Sequence, residues 1–242
     1  MKTHLDLFSG IGGFALAAGW AGYNTIGFCE IEDYPRRVLS KRFSGVPIHG
    51  DIRELDGSVY RGVSLITGGY PCQPFSQAGQ RKGKKDDRHL WPELRRVVAQ
   101  ARPAFLVAEN VAGHITLGLD EVLADLESEG YAGRAIVVPA CAVNAPHRRD
   151  RVWIIAKSLA HSEIKRTQGL RPSGVEESPA YAGQEVPLCR YERIGSSYWE
   201  TEPAVGRVAD GIPNRVDRIR GLGNAIVAQV AYEIIKELER NG

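Results

Sequence analysis

A cysteine bracketed by two prolines is the residue of this chain best placed for covalent chemistry. In Thr67-Gly68-Gly69-Tyr70-Pro71-Cys72-Gln73-Pro74-Phe75-Ser76, two glycines follow an apolar run and lead straight into the proline-flanked thiol. Such a stretch makes a stiff, exposed loop rather than a core segment. A lone cysteine is commonly a small buried hydrophobe, yet packing has little use for one here, and Cys72 is read as a nucleophile. Thiolate chemistry needs partial exposure and electropositive surroundings. These follow in 80–88, where Arg81, Lys82, Lys84, Lys85 and Arg88 place five basic residues around Gly83. The segment suits a mobile loop closing on phosphates, although a solvated surface loop has the same composition.

Further along, Phe105-Leu106-Val107-Ala108 reads as a strand that delivers Glu109 at its carboxyl end, where a carboxylate can reach a ring held against Cys72. Pro146-His147-Arg148-Arg149-Asp150-Arg151 enters another strand, and alternation puts Arg149 and Arg151 on one face. Two arginines sharing a face suit an acidic ligand or a carboxylate that must be held in place. A salt-bridged surface strand end competes with that reading.

A second constellation lies near the N-terminus. Leu5-Asp6-Leu7-Phe8-Ser9-Gly10-Ile11-Gly12-Gly13 sets a glycine-rich turn between a first strand and a first helix, and Glu30 stands 20 residues after Gly10 behind a second strand. In doubly wound folds such a turn lets backbone approach a nucleotide-like ligand while an acid about 20 residues on bonds a ribose hydroxyl. Asp51, in Gly50-Asp51-Ile52, follows a third expected strand end and could face the same nucleoside. A NAD-dependent oxidoreductase would satisfy the turn and Glu30 equally well, but it gives no role to the cysteine loop.

The elements that must position these residues alternate regularly. Apolar runs at Leu5–Phe8, Thr25–Phe28, Leu65–Thr67, Phe105–Ala108 and Ala135–Val138 alternate with helix-length segments at Ile11–Ala21, Asp33–Phe43, Leu90–Ala101 and Leu117–Glu129. This is the pattern of βαβ units around a mainly parallel sheet covered on both faces. Arg151–Ala156 is expected to pair antiparallel with Ala135–Val138. Residues 1–156 therefore read as one α/β domain with a Rossmann-like sheet. From 157 to 206 the texture changes, with 15 Gly, Ser or Pro in 50 residues, and the segment reads as a loop-rich insertion. Residues 207–242 complete the domain with a helix whose Ile226, Val227, Val230, Ala231, Ile234, Ile235 and Leu238 form an apolar stripe.

Composition narrows the class. The 242 residues carry 31 Lys and Arg against 29 Asp and Glu, a net charge of +2, so any nucleic-acid binding must come from a local basic patch. Four cysteines without C-x-x-C spacing argue against a disulfide framework and a zinc knuckle, and no metal is expected. No uncharged apolar run is long enough for a membrane span, and Asp6 interrupts what a leader would need to be apolar, so an intracellular protein is expected.

Taken in order, the Asp6–Gly13 turn, Glu30, Gly50-Asp51-Ile52, Pro71-Cys72-Gln73-Pro74-Phe75-Ser76, Glu109-Asn110-Val111, His147-x-Arg149-x-Arg151 and Gly223-Asn224-Ala225-Ile226-Val227 resemble the DNA cytosine-5 methyltransferase family, in its short bacterial or phage form. The resemblance implies an S-adenosylmethionine-dependent enzyme that flips a cytosine out of double-stranded DNA, as base-modifying enzymes must to reach their target atom. By the same resemblance Cys72 attacks C6, Glu109 contacts N3 and the exocyclic amine, and Arg149 and Arg151 lie in the pocket, one on the flipped cytosine and one steadying its neighbours. The cofactor falls to Phe8, Ser9, Gly10, Ile11, Gly12, Gly13, Glu30, Ile31, Asp51, Ile52, Pro71, Leu90, Asn224 and Ala225. DNA contacts fall to Ser76, Gln80, Arg81, Lys82, Lys84, Lys85 and Arg88. The implied setting is a cytoplasmic, nucleoid-associated enzyme of restriction-modification or phage anti-restriction, acting as a monomer or with a separate recognition partner.

Three departures stand out. His147 replaces the family's usual Gln, and Ala228 stands where Pro is common; neither removes a catalytic atom. Residues 157–206 occupy the place of the target-recognition region yet carry 6 Lys and Arg against 7 Asp and Glu, so they are not a basic reading head. Arg166, Arg171, Tyr191, Arg193 and Trp199 are the candidates for a minimal recognition element. A zinc deaminase fails, because His161-Ser162-Glu163 is not followed by P-C-x-x-C. An RNA cytosine-5 methyltransferase and a non-catalytic DNA- or cofactor-binding paralogue are the alternatives.

Overall fold

The computed structural model describes residues 1–71, 90–116, 118–160 and 221–240. Its strands are the short apolar runs: β1 (Thr3–Leu7), β2 (Asn24–Cys29), β3 (Ile48–His49), β4 (Leu65–Gly68), β5 (Phe105–Val111), β6 (Tyr131–Pro139) and β7 (Asp150–Ser158). They join in one seven-stranded sheet of order β3-β2-β1-β4-β5-β7-β6. The first five strands pair in parallel, and β7 runs antiparallel to both β5 and β6. The mixed, mainly parallel sheet expected from the sequence is present, including the antiparallel pair, in which Ala135 stands opposite Ile154. β7 also runs past 156, because Lys157 still pairs with Phe105 and Ser158 with Tyr131.

Alternation along each strand divides the core into two layers. On one face Leu5, Leu7, Ile66, Leu106, Ala108, Ile154 and Ala156 are covered by α3 (Trp91–Ala101) and α4 (Leu119–Ser128), which bury Trp91, Leu94, Val97, Val98, Val122 and Leu126. On the other, Leu65, Phe105, Val107, Trp153 and Ile155 meet α1 (Gly13–Trp20) and the C-terminal α5 (Ala228–Arg240). The apolar stripe read at 226–238 is the face that α5 buries, with Val230, Ala231 and Ile235 at most 2% exposed. Val230 and Ile235 each contribute about 1.5–3 kcal/mol on burial, so α5 is held by the sheet rather than by its own propensity. α2 (Asp33–Arg42) caps the far end, where Leu39 packs with Phe28 and Phe43.

Helix ends follow local chemistry. Pro92 opens α3, where its missing N–H is not required, and Arg102, in left-handed backbone at φ 52°, closes it. A parallel sheet of this kind gathers the carboxyl ends of β1, β2, β4 and β5 along one edge, and the turns that leave them must carry any site.

Candidate active site

The glycine turn leaves β1 through two unusual residues. Phe8 has φ 54°, a left-handed conformation costly for a bulky side chain, and Gly10 (φ 52°) and Gly12 (φ 90°) follow in the same region. Gly12 needs glycine twice over, since a Cβ there would also lie 2.8 Å from the Phe43 ring. Glu30, at the end of β2, ties the turn down: its Oε2 accepts from the Gly10 N–H at 2.7 Å and its Oε1 from the Glu32 N–H at 2.8 Å. The carboxylate is thereby fixed in place, and each oxygen keeps a free lone pair.

Beneath the turn lies a directional chain of buried polar groups. Thr67 donates its hydroxyl to Asp6 Oδ1 at 2.9 Å, so its oxygen accepts from His4 Nε2 at 2.7 Å, and His4 Nδ1 in turn accepts from Thr25 Oγ1 at 3.0 Å. Burial holds the His4 imidazole neutral, with its pKa down at about 3, and pushes the Asp6 carboxyl well above the usual carboxylate range. Asp6 Oδ2 is buried without a hydrogen-bond partner among the described residues. A neutral carboxyl at this place is the less costly form.

At the carboxyl end of β5, Glu109 meets Arg151, whose Nε lies 2.8 Å from Glu109 Oε1. Burial raises the Glu109 carboxyl above its ordinary range even though Arg151 and Arg149 oppose the shift. Arg149 precedes the strand, with left-handed backbone at φ 41°, and its Nη2 donates to the carbonyls of Gly223 and Ala225, each at 2.8 Å. The root of the cysteine loop is pinned as well. Asn110 Nδ2 donates to the Tyr70 carbonyl at 3.2 Å, and the Tyr70 hydroxyl lies 2.7 Å from Nε2 of the buried His114.

Of these groups, Phe8, Gly10, Glu30, Tyr70, Glu109, Asn110, Arg149 and Arg151 line one cleft of about 400 Å³ at the carboxyl edge of the sheet, within the size range of cofactor sites. Of the residues expected to hold a cofactor, Phe8, Gly10, Glu30, Ile31, Pro71, Leu90 and Asn224 line it, and Glu109, Arg149 and Arg151 line its other end. Seven others do not. Ser9 turns its hydroxyl to the Asp6 carbonyl at 2.7 Å, Gly13 packs against Ile226, and Ile11 stands beside Gly221. Gly12 is filled by Phe43 and Leu39, and Ala225 offers its carbonyl to Arg149. Asp51 caps the turn Ile52–Glu54 and is paired with Arg53 at 2.8 Å, which holds its carboxyl below the usual range, while Ile52 is buried in the core. Cys72, Ser76, Gln80, Arg81, Lys82, Lys84, Lys85 and Arg88 lie outside the described residues, as do Arg166, Arg171, Tyr191, Arg193 and Trp199.

The cleft also takes Glu32, Tyr34 and Pro35 from the start of α2, Gly69 and Tyr70 from the end of β4, and Gly221. None was singled out from sequence as a ligand contact. The signal for the α2 residues was positional, because a helix that starts two or three residues after Glu30 must open on the same edge. His114 had no such signal. Among the described residues no three His, Cys, Asp or Glu side chains gather to hold a metal, and no helix is long and apolar enough to cross a membrane.

Comparison with known proteins fits this geometry. The sequence pattern of the family described as C-5 cytosine-specific DNA methylase matches residues 2–181. The chain belongs to this family. It is 33% identical over 203 residues to the Type II methyltransferase M.NgoMIV of Neisseria gonorrhoeae, covering 82% of this chain and 62% of that one. To the Type II methyltransferase M2.BsuMI of Bacillus subtilis (strain 168) it is 34% identical over 194 residues, covering 73% and 49%. A DNA modification methyltransferase encoded within an E. coli prophage superposes with a TM-score of 0.57 at 25% identity, covering 68% of this chain and 48% of the other. This methylase-family chain thus spans about half to three fifths of the length of such relatives. Its Pro71 root, Glu109–Arg151 pair and Glu30-anchored turn share one cleft.

Proposed function

We propose that the chain is a DNA (cytosine-5-)-methyltransferase that binds S-adenosylmethionine and a flipped cytosine at opposite ends of the one cleft. The observation that carries this reading is the shared lining, with the Glu30-anchored turn at one end and the Glu109–Arg151 pair at the other. A fixed carboxylate beside a backbone turn suits two ribose hydroxyls, and the exposed Ile31 and strained Phe8 offer apolar surface to an adenine. S-adenosylmethionine, when bound, supplies an electrophilic methyl group.

At the base end, the Cys72 thiolate adds to C6 of cytosine, and the electron pair of the C5–C6 bond becomes available at C5. Glu109, with its raised pKa, holds a proton at N3 and accepts from the exocyclic amine, which stabilises the charge displaced into the ring. Arg151 keeps that carboxyl in register and offers remaining donors to the base. After C5 has taken the methyl group, a base removes the C5 proton, the C5–C6 double bond re-forms and Cys72 leaves as thiolate. Residues 157–206 are the candidate recognition insertion. The protein would act in the cytoplasm, as a monomer or with a recognition partner, in restriction-modification or anti-restriction.

The test is expression in a host lacking cytosine methylation, with 5-methylcytosine mapped at base resolution on a resident plasmid beside the Cys72→Ser variant. Methylation at one short motif that disappears in the variant is the expected result. A clean plasmid from folded, cofactor-binding protein overturns the DNA assignment and turns the search to RNA or to an inactive paralogue.

A further inference from the structure

We infer that Arg149 is a positioning residue that couples cofactor binding to the placement of the base-facing Glu109–Arg151 pair, acting through the C-terminal backbone rather than on the substrate. The inference rests on the reading of the cleft given above.

Arg149 looks from sequence like a second arginine for the base, two residues before Arg151 and in the same cleft. Its hydrogen bonds point elsewhere. Both hydrogens of Nη2 are engaged, one by the Gly223 carbonyl and one by the Ala225 carbonyl, each at 2.8 Å. Those two carbonyls straddle Asn224, which lines the cleft. One residue further, Ile226 is pressed into the glycine turn so closely that a Cβ on Gly13 would sit 2.8 Å from its Cγ1. The segment then enters α5, which packs along α1, the helix the turn initiates.

In the other direction, Arg149 leads directly into β7. Its left-handed backbone, at φ 41°, is one that an arginine keeps only when its surroundings impose it. The two carbonyl bonds are such an imposition. Two residues on, Arg151 reaches back to Glu109 across the β5–β7 ladder at 2.8 Å. A continuous path therefore runs from the glycine turn through Ile226, the Gly223 and Ala225 carbonyls and Arg149 to Arg151 and Glu109. Ordering at either end favours the same arrangement at the other, and such a coupling is reciprocal between ligands.

The planar guanidinium matters more here than its charge, since one nitrogen bridges two carbonyls in fixed geometry. The test is calorimetric titration of wild type, Arg149→Lys and Arg149→Ala with S-adenosylhomocysteine, each with and without unmethylated plasmid DNA. Both variants are expected to bind the cofactor product at least tenfold more weakly, with lysine giving no rescue. The ratio of its affinities with and without DNA should fall towards one. Cofactor affinity within twofold of wild type, with the loss confined to DNA affinity or turnover, overturns the inference and returns Arg149 to the substrate.

Hydrogen exchange on the wild type gives a second reading independent of variant folding. S-adenosylhomocysteine should slow exchange both at 222–227 and at 147–150. Protection confined to the glycine turn and Glu30 counts against the coupling. A wild-type protein that binds no S-adenosylhomocysteine at all sinks the proposed function itself, a different outcome from either.

Discussion

Glu109 and Arg151 sit on neighbouring antiparallel strands as diagonal partners. Glu109 stands opposite Trp153, so Arg151, two residues away, shares its face and closes to 2.8 Å. The pair is largely withdrawn from water, with side-chain exposures of 13% and 24%. Removing one member strands the other, and Arg151→Met should cost about 3–5 kcal/mol in denaturant unfolding. The double variant Arg151→Met with Glu109→Gln should recover more than half of that loss. Two additive losses would mean that the pair is not the interaction at stake. Glu109→Gln alone leaves the Arg151 guanidinium without its carboxylate, so it too should be destabilising, and it should lower turnover by about 10²–10⁴.

Glu30 is expected to contribute through the turn as much as through any ligand. Glu30→Ala removes acceptors from both the Gly10 and the Glu32 N–H, and S-adenosylmethionine affinity should fall at least about tenfold, equivalent to about 1.4 kcal/mol. Calorimetry showing unchanged affinity would place the ribose elsewhere in the cleft.

Two glycines of the turn separate conformation from space. Gly10 has φ 52° with nothing within 4 Å of a would-be Cβ, whereas Gly12 combines φ 90° with a 2.8 Å approach to Phe43. Gly10→Ala should cost roughly 1–2 kcal/mol for the left-handed backbone alone. Gly12→Ala should cost clearly more, because Phe43 and Leu39 must also move. Equal shifts in the thermal midpoint would show that the Phe43 side of the turn yields freely.

The polar chain under the turn carries a pH signature. His4 has a folded pKa of about 3, below its unfolded value, so between roughly pH 6.5 and 3 the unfolded chain binds the extra proton. Its contribution is therefore complete above about pH 6.5 and is lost as pH falls, at up to about 1.4 kcal/mol per pH unit. Asp6 is shifted upward and acts in the opposite sense, its contribution being lost as pH rises through its folded value. His4→Gln isolates the first effect: the stability gap between wild type and variant should shrink as pH falls from 7 to 5. A constant gap would mean that His4 titrates alike in the folded and unfolded chains.

What could be read from sequence was whatever local pattern decides. The alternation of apolar runs and helical stripes sufficed for the sheet and for α5, and Glu30 and Glu109 could be placed at the cleft edge because Glu30 directly follows β2 and Glu109 lies near the carboxyl end of β5. Asp51 shows the limit of that logic. It too follows a strand, but its carboxylate is paired with Arg53 two residues on and Asp51 is not among the residues lining the cleft. Arg149 shows the opposite limit, since its partners lie 74 and 76 residues away and depend on where the C-terminal segment folds back. Tyr70 and His114 form their bond across 44 residues for a similar reason, because no periodicity marks a buried polar pair.

The direction of β7 has a consequence for chain routing. Because it begins at the cleft with Asp150 and ends beside the start of β5, where the Ser158 N–H donates to the Ala104 carbonyl, the chain leaves the sheet at the edge remote from the cleft. Gly221, where the described chain resumes, lines the cleft itself. Ala160 and Gly221, the described residues on either side of 161–220, thus stand as two anchors on opposite rims, separated by on the order of 25 Å at about 3.3 Å per strand residue. One anchor is indifferent to the ligands, while the other adjoins Asn224 and the carbonyls held by Arg149. Shortening this span from its far end should spare the chemistry, whereas trimming it from the near end should reach the cofactor first.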